Sequence, residues 1–403
     1  MVMEEEKNVA WPKDRPLRWR LRVGLLAGGA ISAALAQVLS RFPHFIEKAY
    51  TEALGQWFGR TLAACTAWVP FSVGEVLLAA ILLWLFALGV RAVYHVARRR
   101  RRWTNALACG VLHAGAVAGA ILLAFYWMWG FNYGRAGLID RMQWQAYAED
   151  PKDEAALAEL EHICRELVEA TNSAYEALYK AKDTGAPTEA PLSRKALNMA
   201  IDGAYRRVAK DLGLHPSFAA SRGPAKPVFF SEIMCYTLIL GVYCPFTGEA
   251  NYNRKMPGCT LPEVIAHEKA HQRGITSEDE ANFFGYLVCA SSKHPYLQYS
   301  AYLTAQRRFL SELIARAPER GKALLAERHP GVQRDVDACN AFTKAYAGRV
   351  SRVQHRVNDL YLKANRVKGG VKAYGLSARL ILAYARAHGG SCIVETVGKG
   401  KQP

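Results

Sequence analysis

The sequence predicts an α+β protein in two unlike parts: three membrane-spanning helices, then a mainly helical domain carrying a small β-sheet. Three observations predict it. Three apolar stretches near the N-terminus approach or exceed the ~20 residues that a helix needs to cross ~30 Å of hydrocarbon. No Asp or Glu occurs between Glu75 and Asp140. Beyond Asp140 the chain is charged, with apolar residues recurring at helical spacing and a few short β-like pieces between turns.

The apolar stretches run from Val23 to Leu39, Val73 to Val96 and Trp103 to Trp129. Their orientation follows from the arginines. Arg15, Arg18, Arg20 and Arg22, with Lys13, precede the first stretch, and Arg98–Arg102 separates the second from the third. The segment 41–72, expected as a loop, carries charges of both signs. The positive-inside rule then puts the N-terminus and Arg98–Arg102 in the cytoplasm and everything after Trp129 outside. The aromatic cluster Tyr126, Trp127, Trp129, Phe131 and Tyr133 suits an interfacial anchor at that exit. A signal peptide is the rival for the first stretch, but its N-region is long and no A-x-A site follows. The expected division is a basic cytoplasmic N-terminus (1–22), a membrane domain (23–133), an extracytoplasmic domain (134–390) and a tail (391–403). The expected location is a cytoplasmic membrane, crossed several times, with the phospholipid bilayer as one partner.

Composition narrows the functional classes. Lys and Arg number 52 against 35 Asp and Glu, a formal charge of +17, and 51% of the 403 residues are hydrophobic. Long disorder, collagen-like structure and a purely soluble enzyme are excluded. Nucleic acid is not an expected partner, because the densest basic run lies between two apolar stretches, where topology requires it. Nine cysteines show no zinc-finger or thioredoxin spacing, and seven of them fall in the outer part. Cys235 and Cys244, bracketing an expected hairpin, are the first choice for a pair.

In the outer part, helices are expected over 153–181, 193–212, 261–272, 277–291, 297–314, 333–364 and 371–387. A Gly/Pro/Ser loop is expected over 216–227, and short strands near Val228–Phe230, Thr237–Tyr243 and Glu249–Tyr252. Pro245–Tyr252 reads as an edge strand able to hold an extended peptide by main-chain pairing, with Glu249 and Asn251 bordering the cleft. Asn253 and Arg254 read as turn residues.

The stretch Thr260-Leu-Pro-Glu-Val-Ile-Ala-His-Glu-Lys-Ala-His271 carries the chemistry. Thr260 and Glu263 suit a capping box, and Pro262 is tolerated in a first helical turn. His267 and His271, four residues apart, project from one helix face. Two neutral imidazoles so placed hold Zn²⁺, and the adjacent Glu268 takes a proton from a zinc-bound water. This is the H-E-x-x-H arrangement. Gly274 supplies a left-handed helix end, and Ser277 caps an acidic helix that turns a carboxylate back toward the metal. Two ordinary surface histidines beside a solvated acidic helix are the plain alternative.

The chain resembles the uncharacterised bacterial membrane family DUF3810, whose members join N-terminal spans to an external domain with zinc-metallopeptidase signatures. The resemblance rests on Trp68-Val-Pro-Phe-Ser-Val-Gly74, Pro245-Phe-Thr-Gly-Glu-Ala-Asn251, His267-Glu-Lys-Ala-His-Gln-Arg-Gly274, Glu278-Asp-Glu-Ala-Asn-Phe283, Tyr299-Ser-Ala-Tyr302 and Gly370-Val-Lys-Ala-Tyr374. It implies a zincin-like external domain more strongly than a named reaction. Similarity to gluzincin-type peptidases, with their E-x-x-A-D or E-x-x-A-N helix, makes Glu278 the third ligand, with Glu280 as the alternative. Asn282 stands where Asp is more frequent, and only six residues separate His271 from Glu278. Asn282 is expected to orient a ligating imidazole or to pack the helix. Tyr299, Tyr302 and His294 are the candidates for stabilising an oxyanion.

The expected function is a membrane-anchored zinc metallopeptidase acting on an extracytoplasmic protein or peptide, with Glu268 as general base. A zinc amidase of the cell envelope is the second enzyme class. A membrane sensor or assembly protein with a structural zinc is the non-enzyme class.

Overall fold

The computed structural model describes residues 15–98, 103–145, 154–180, 184–354, 356 and 374–394. Lys13, Arg99–Arg102, the later part of the 333–364 tract, residues 370–373 and the tail from 395 lie outside the described residues. Among the described residues, three helices are long and apolar enough to cross a membrane: α1 (Arg15–Leu39), α3 (Val73–Ala97) and α4 (Trp103–Met128). Helices α1 and α4 cross at Gly29 and Gly119, where a Cβ on either would lie within 2.5 Å of the other's backbone. Small residues permit that approach. Helix α3 is exposed along its apolar stretch and meets α4 through Trp84 and His113, whose rings lie 5.3 Å apart.

Residues 41–72 are not the expected loop. They form a short helix Pro43–Phe45, a π-helical segment Ile46–Leu54 and α2 (Gly55–Thr66). The charges of Glu47, Lys48 and Glu52 mask an amphipathic pattern whose inward positions, Ile46 and Tyr50, bury against Phe131 just after α4. The Tyr50 hydroxyl donates to the Trp127 carbonyl at 2.9 Å.

The chain after the apolar helices is mostly helical: α5 (Glu154–Tyr179), α6 (Arg194–Asp211), α7 (Ser231–Thr237), α8 (Leu261–His271), α9 (Glu278–Ala290), α10 (Pro295–Arg316), α11 (Pro330–Tyr346) and α12 (Tyr374–Ala387). Short helices at Pro216–Ala219 and Pro318–Ala326 join them. Helix α9 runs through the core, and all its residues from Asp279 to Ala290 are buried. Gly285 lets α8 come close, since a Cβ there would touch the Glu263 carbonyl at 3.1 Å. Asp335 of α11 binds the loop after α5 into this core: it accepts from the Thr188 N–H and hydroxyl, each at 2.6 Å, and from the Tyr299 hydroxyl at 2.5 Å.

The sheet has three strands in the order β1 (Lys226–Pro227), β3 (Glu249–Tyr252), β2 (Gly241–Cys244). β1 runs parallel and β2 antiparallel to β3. Two expectations change. Residues 231–237 are helical, ended by Leu238 in the left-handed region (φ 57°), so the strand begins only at Gly241. The Pro245–Tyr252 segment supplies the central strand, and β2 is the edge. All nine cysteines are free, including Cys235 and Cys244; the closest sulfurs are those of Cys259 and Cys339, 3.5 Å apart.

Glu249 ties the sheet to the apolar helices and does not border a cleft. It is buried and paired with Lys226, and it accepts from the N–H groups of Val73 and Gly74 (3.1 and 2.8 Å) in the first turn of α3. Lys226→Met is expected to destabilise the full chain by ~3–5 kcal/mol, the usual cost of stranding one member of a buried pair. Denaturation of detergent-solubilised protein measures this, and an unchanged midpoint would refute the anchoring role.

Candidate metal centre

Helix α8 starts without the expected capping box. A 3₁₀ turn, Gly258–Thr260, leads into it, so Thr260 already has helical dihedrals and donates back to the Pro257 carbonyl at 2.8 Å. Glu263 instead lies 3.7 Å from Arg308, and its N–H donates to the Ser300 hydroxyl. Pro262 sits in the first turn. One flank of α8 is fixed to α6: Lys269 and Arg273 reach Asp202 at 3.0 and 3.3 Å, and the Arg273 guanidinium lies over the Tyr205 ring.

The other flank carries His267, Glu268 and His271. The chain reverses at Gly274 (φ 83°), and Ser277 caps α9 by accepting from the Glu280 N–H. The reversal brings Glu278 onto both imidazoles: its carboxylate oxygens lie 3.3 Å from His267 Nε2 and 3.7 Å from His271 Nε2. The two Nε2 atoms are 3.1 Å apart.

Hydrogen bonds decide which ring nitrogen faces the cluster. His271 Nδ1 donates to the Ile275 carbonyl at 2.7 Å. His267 Nδ1 lies 3.1 Å from Asn282 Oδ1, an oxygen that also accepts from Arg308 and therefore accepts a hydrogen bond from the imidazole Nδ1–H. Both Nε2 atoms are thus left with lone pairs directed at each other and at a carboxylate. Such a cluster requires positive charge at its centre. Burial works against a charged His267, but the hydrogen bond to Glu278 and the charges of Glu268, Glu278 and Glu263 outweigh it and push its pKa up to about 9. Burial likewise opposes ionisation of Glu278, yet the imidazoles hold it down at about 2. A divalent cation meets the same demand. Two Zn–N bonds of ~2.05 Å at a tetrahedral angle separate their nitrogens by ~3.3 Å, close to the spacing present here, so the donor set fits the ion.

Glu268 stands beside this set without joining it. One carboxylate oxygen lies 3.9 Å from His267 Nε2, the other is buried with no partner, and the Tyr243 N–H of β2 donates to the group. Burial, reinforced by Glu278 and Glu263, pushes its pKa up to about 8.

The other expected site residues lie elsewhere. Glu280 accepts from the Leu138 N–H and from Arg141, both at 2.7 Å, because two positions along α9 turn it to the opposite flank. Tyr299 is committed to Asp335. Tyr302 is buried against Tyr286, with its hydroxyl at the Val394 N–H. His294 caps α10 by accepting from the Tyr296 N–H at 3.2 Å.

Three participants were not apparent from spacing. Gly241 on β2 is one, since a Cβ there would fall 2.5 Å from Glu268 Oε1 and 2.6 Å from its Cγ. Arg308 is the second, orienting the Asn282 amide. The third is Trp129, the residue after α4, whose indole donates to the His271 carbonyl at 3.1 Å. Gln56 and Arg135 take the next carbonyls, those of Arg273 and Gly274. Orphan carbonyls at a helix end need such donors, and all three come from segments adjoining the apolar helices. The His267–His271 turn is far from Trp129 in sequence and against it in space.

A family model described as a protein of unknown function (DUF3810) matches residues 50–382. The chain belongs to the DUF3810 family. No curated protein and no solved structure matches it. The DUF3810 match takes in α2, the apolar helices α3 and α4, the sheet and the whole His267–His271–Glu278 cluster.

Proposed function

We propose that this DUF3810 protein is a membrane-anchored, zinc-dependent metallopeptidase acting outside the cytoplasmic membrane. The observation that carries the proposal is the convergence of His267 Nε2, His271 Nε2 and the Glu278 carboxylate beside Glu268, whose second oxygen is buried and unpartnered. His267, His271 and Glu278 would hold Zn²⁺. When bound, the ion supplies Lewis acidity toward a water and a carbonyl oxygen. Glu268 would accept the attacking water's proton and pass it to the leaving amine. β2 is the edge strand beside Glu268, and an extended peptide would lie along it. An unused carboxylate oxygen in this position supports catalysis over a purely structural ion, since a structural site needs only its ligands. Zinc analysis of the purified chain, paired with turnover of a peptide library, tests the proposal.

Two further outcomes follow. Asn282→Ala removes the acceptor for His267 Nδ1 and is expected to weaken zinc binding ~10–100-fold. A chelator-competition titration reads this, and unchanged affinity would remove Asn282 from the site. For topology, an impermeant thiol reagent on intact cells is expected to label Glu319→Cys, an exposed outer position, and to miss Arg100→Cys until the membrane is opened. The reverse pattern would overturn the orientation.

A further inference from the structure

Phe229, Phe230, Ile233 and Tyr236 present one exposed apolar patch, each of them more than half exposed. Ile233 and Tyr236 lie one turn apart on α7, and the rings of Phe229 and Phe230 are 5.1 Å apart. The patch has a fixed position relative to the apolar helices. The N–H groups of Phe229 and Phe230 donate to the Glu75 carboxylate at 2.7 and 2.9 Å, and Glu75 is in the first turn of α3. The segment entering α3 also exposes Trp68 and Phe71, 81% and 55% exposed. Basic groups border it: Arg254 lies over the Phe229 ring, and Arg194 donates to the Pro70 carbonyl.

We propose that this patch is seated in the headgroup–acyl boundary of the outer leaflet, as a second membrane contact beside the spans. Aromatic residues rimmed by arginine suit that layer, where rings bury their faces and cations meet anionic headgroups. Continuity with the start of α3 selects lipid over a protein partner as the occupant. Helix α7 leads within four residues to β2, and Gly241 of β2 touches Glu268. At the opposite end of α8, Trp129 holds the His271 carbonyl one residue beyond α4. Both flanks of the site are therefore held at the membrane surface.

The test uses the full chain in phosphatidylcholine–phosphatidylglycerol vesicles, with Cys65, Cys109 and Cys244 replaced by Ser. A nitroxide is attached at Phe230→Cys or Ile233→Cys, at Leu83→Cys within α3 as the bilayer reference, and at Glu319→Cys as the aqueous reference. Accessibility to oxygen against a water-soluble nickel chelate gives depth. Labels at 230 and 233 are expected to favour oxygen, as at 83, while 319 favours nickel. If 83 favours oxygen but 230 and 233 favour nickel, the patch faces water or awaits a protein partner, and the lipid contact is refuted. If 83 itself favours nickel, the spanning assignment fails, and the lipid contact fails with it. The depth readout is independent of peptidase activity, so loss of that activity leaves the result intact.

Discussion

Glu268→Gln is expected to lower peptide hydrolysis ~100-fold or more, the loss typical of a positioned general base, while zinc content and fold persist. Glutamine keeps the size and the acceptor for the Tyr243 N–H but cannot take a proton from water. Glu268 lies outside the set of three donors, so removing its charge leaves His267, His271 and Glu278 in place. Zinc stoichiometry and turnover measured on the same preparations decide the matter. Equal turnover by the wild type and the variant would reject Glu268 as the base. Gly241→Ala provides a second route to the same end: its Cβ would occupy the place of the Glu268 carboxylate. Activity should fall with the metal retained.

His271→Ala is expected to abolish both zinc retention and turnover. It deletes one of three ligands, and the remaining pair, His267 and Glu278, leaves a site too poor to hold zinc through purification. The effect should not be general to histidines of the region. His294→Ala removes only the acceptor at the start of α10, and its cost is a cap of ~1 kcal/mol. Zinc content should then match the wild type. Elemental analysis after gel filtration separates the two variants, and a His271→Ala protein with a full zinc complement would exclude the proposed ligand set. Stripping the wild type with a chelator should reproduce the His271→Ala phenotype, and restoring Zn²⁺ should reverse it only in the wild type.

Local patterns were legible in the sequence wherever chemistry is local. The four-residue histidine spacing, the Ser277 cap and the positive φ at Gly274 are properties of one or two turns of chain. They sufficed to place His267, His271 and Glu278 around one point. The misplaced residues depend on contacts distant in sequence. Tyr299 and Tyr302 follow α8 and α9 and suit oxyanion donors by spacing. Their hydroxyls are directed instead by Asp335 and by the chain near Val394, 36 and about 90 positions away. Segment 41–72 looked like a loop because its charges interrupt a pattern that makes sense only against Phe131.

The sequence by itself determined the three apolar helices, the helical character of the chain beyond them and the four-residue spacing of His267 and His271, because hydrophobic length and helical period are written in consecutive residues. Only the tertiary structure decided the rest. It made Gly241–Cys244 the edge strand, fixed both imidazole tautomers through Ile275 and Asn282, turned Glu280 away to Arg141, and set His271 against Trp129. The physical reason is that a buried polar group must find a partner. Which partner it finds depends on how elements far apart in the chain are packed, and no local pattern encodes that.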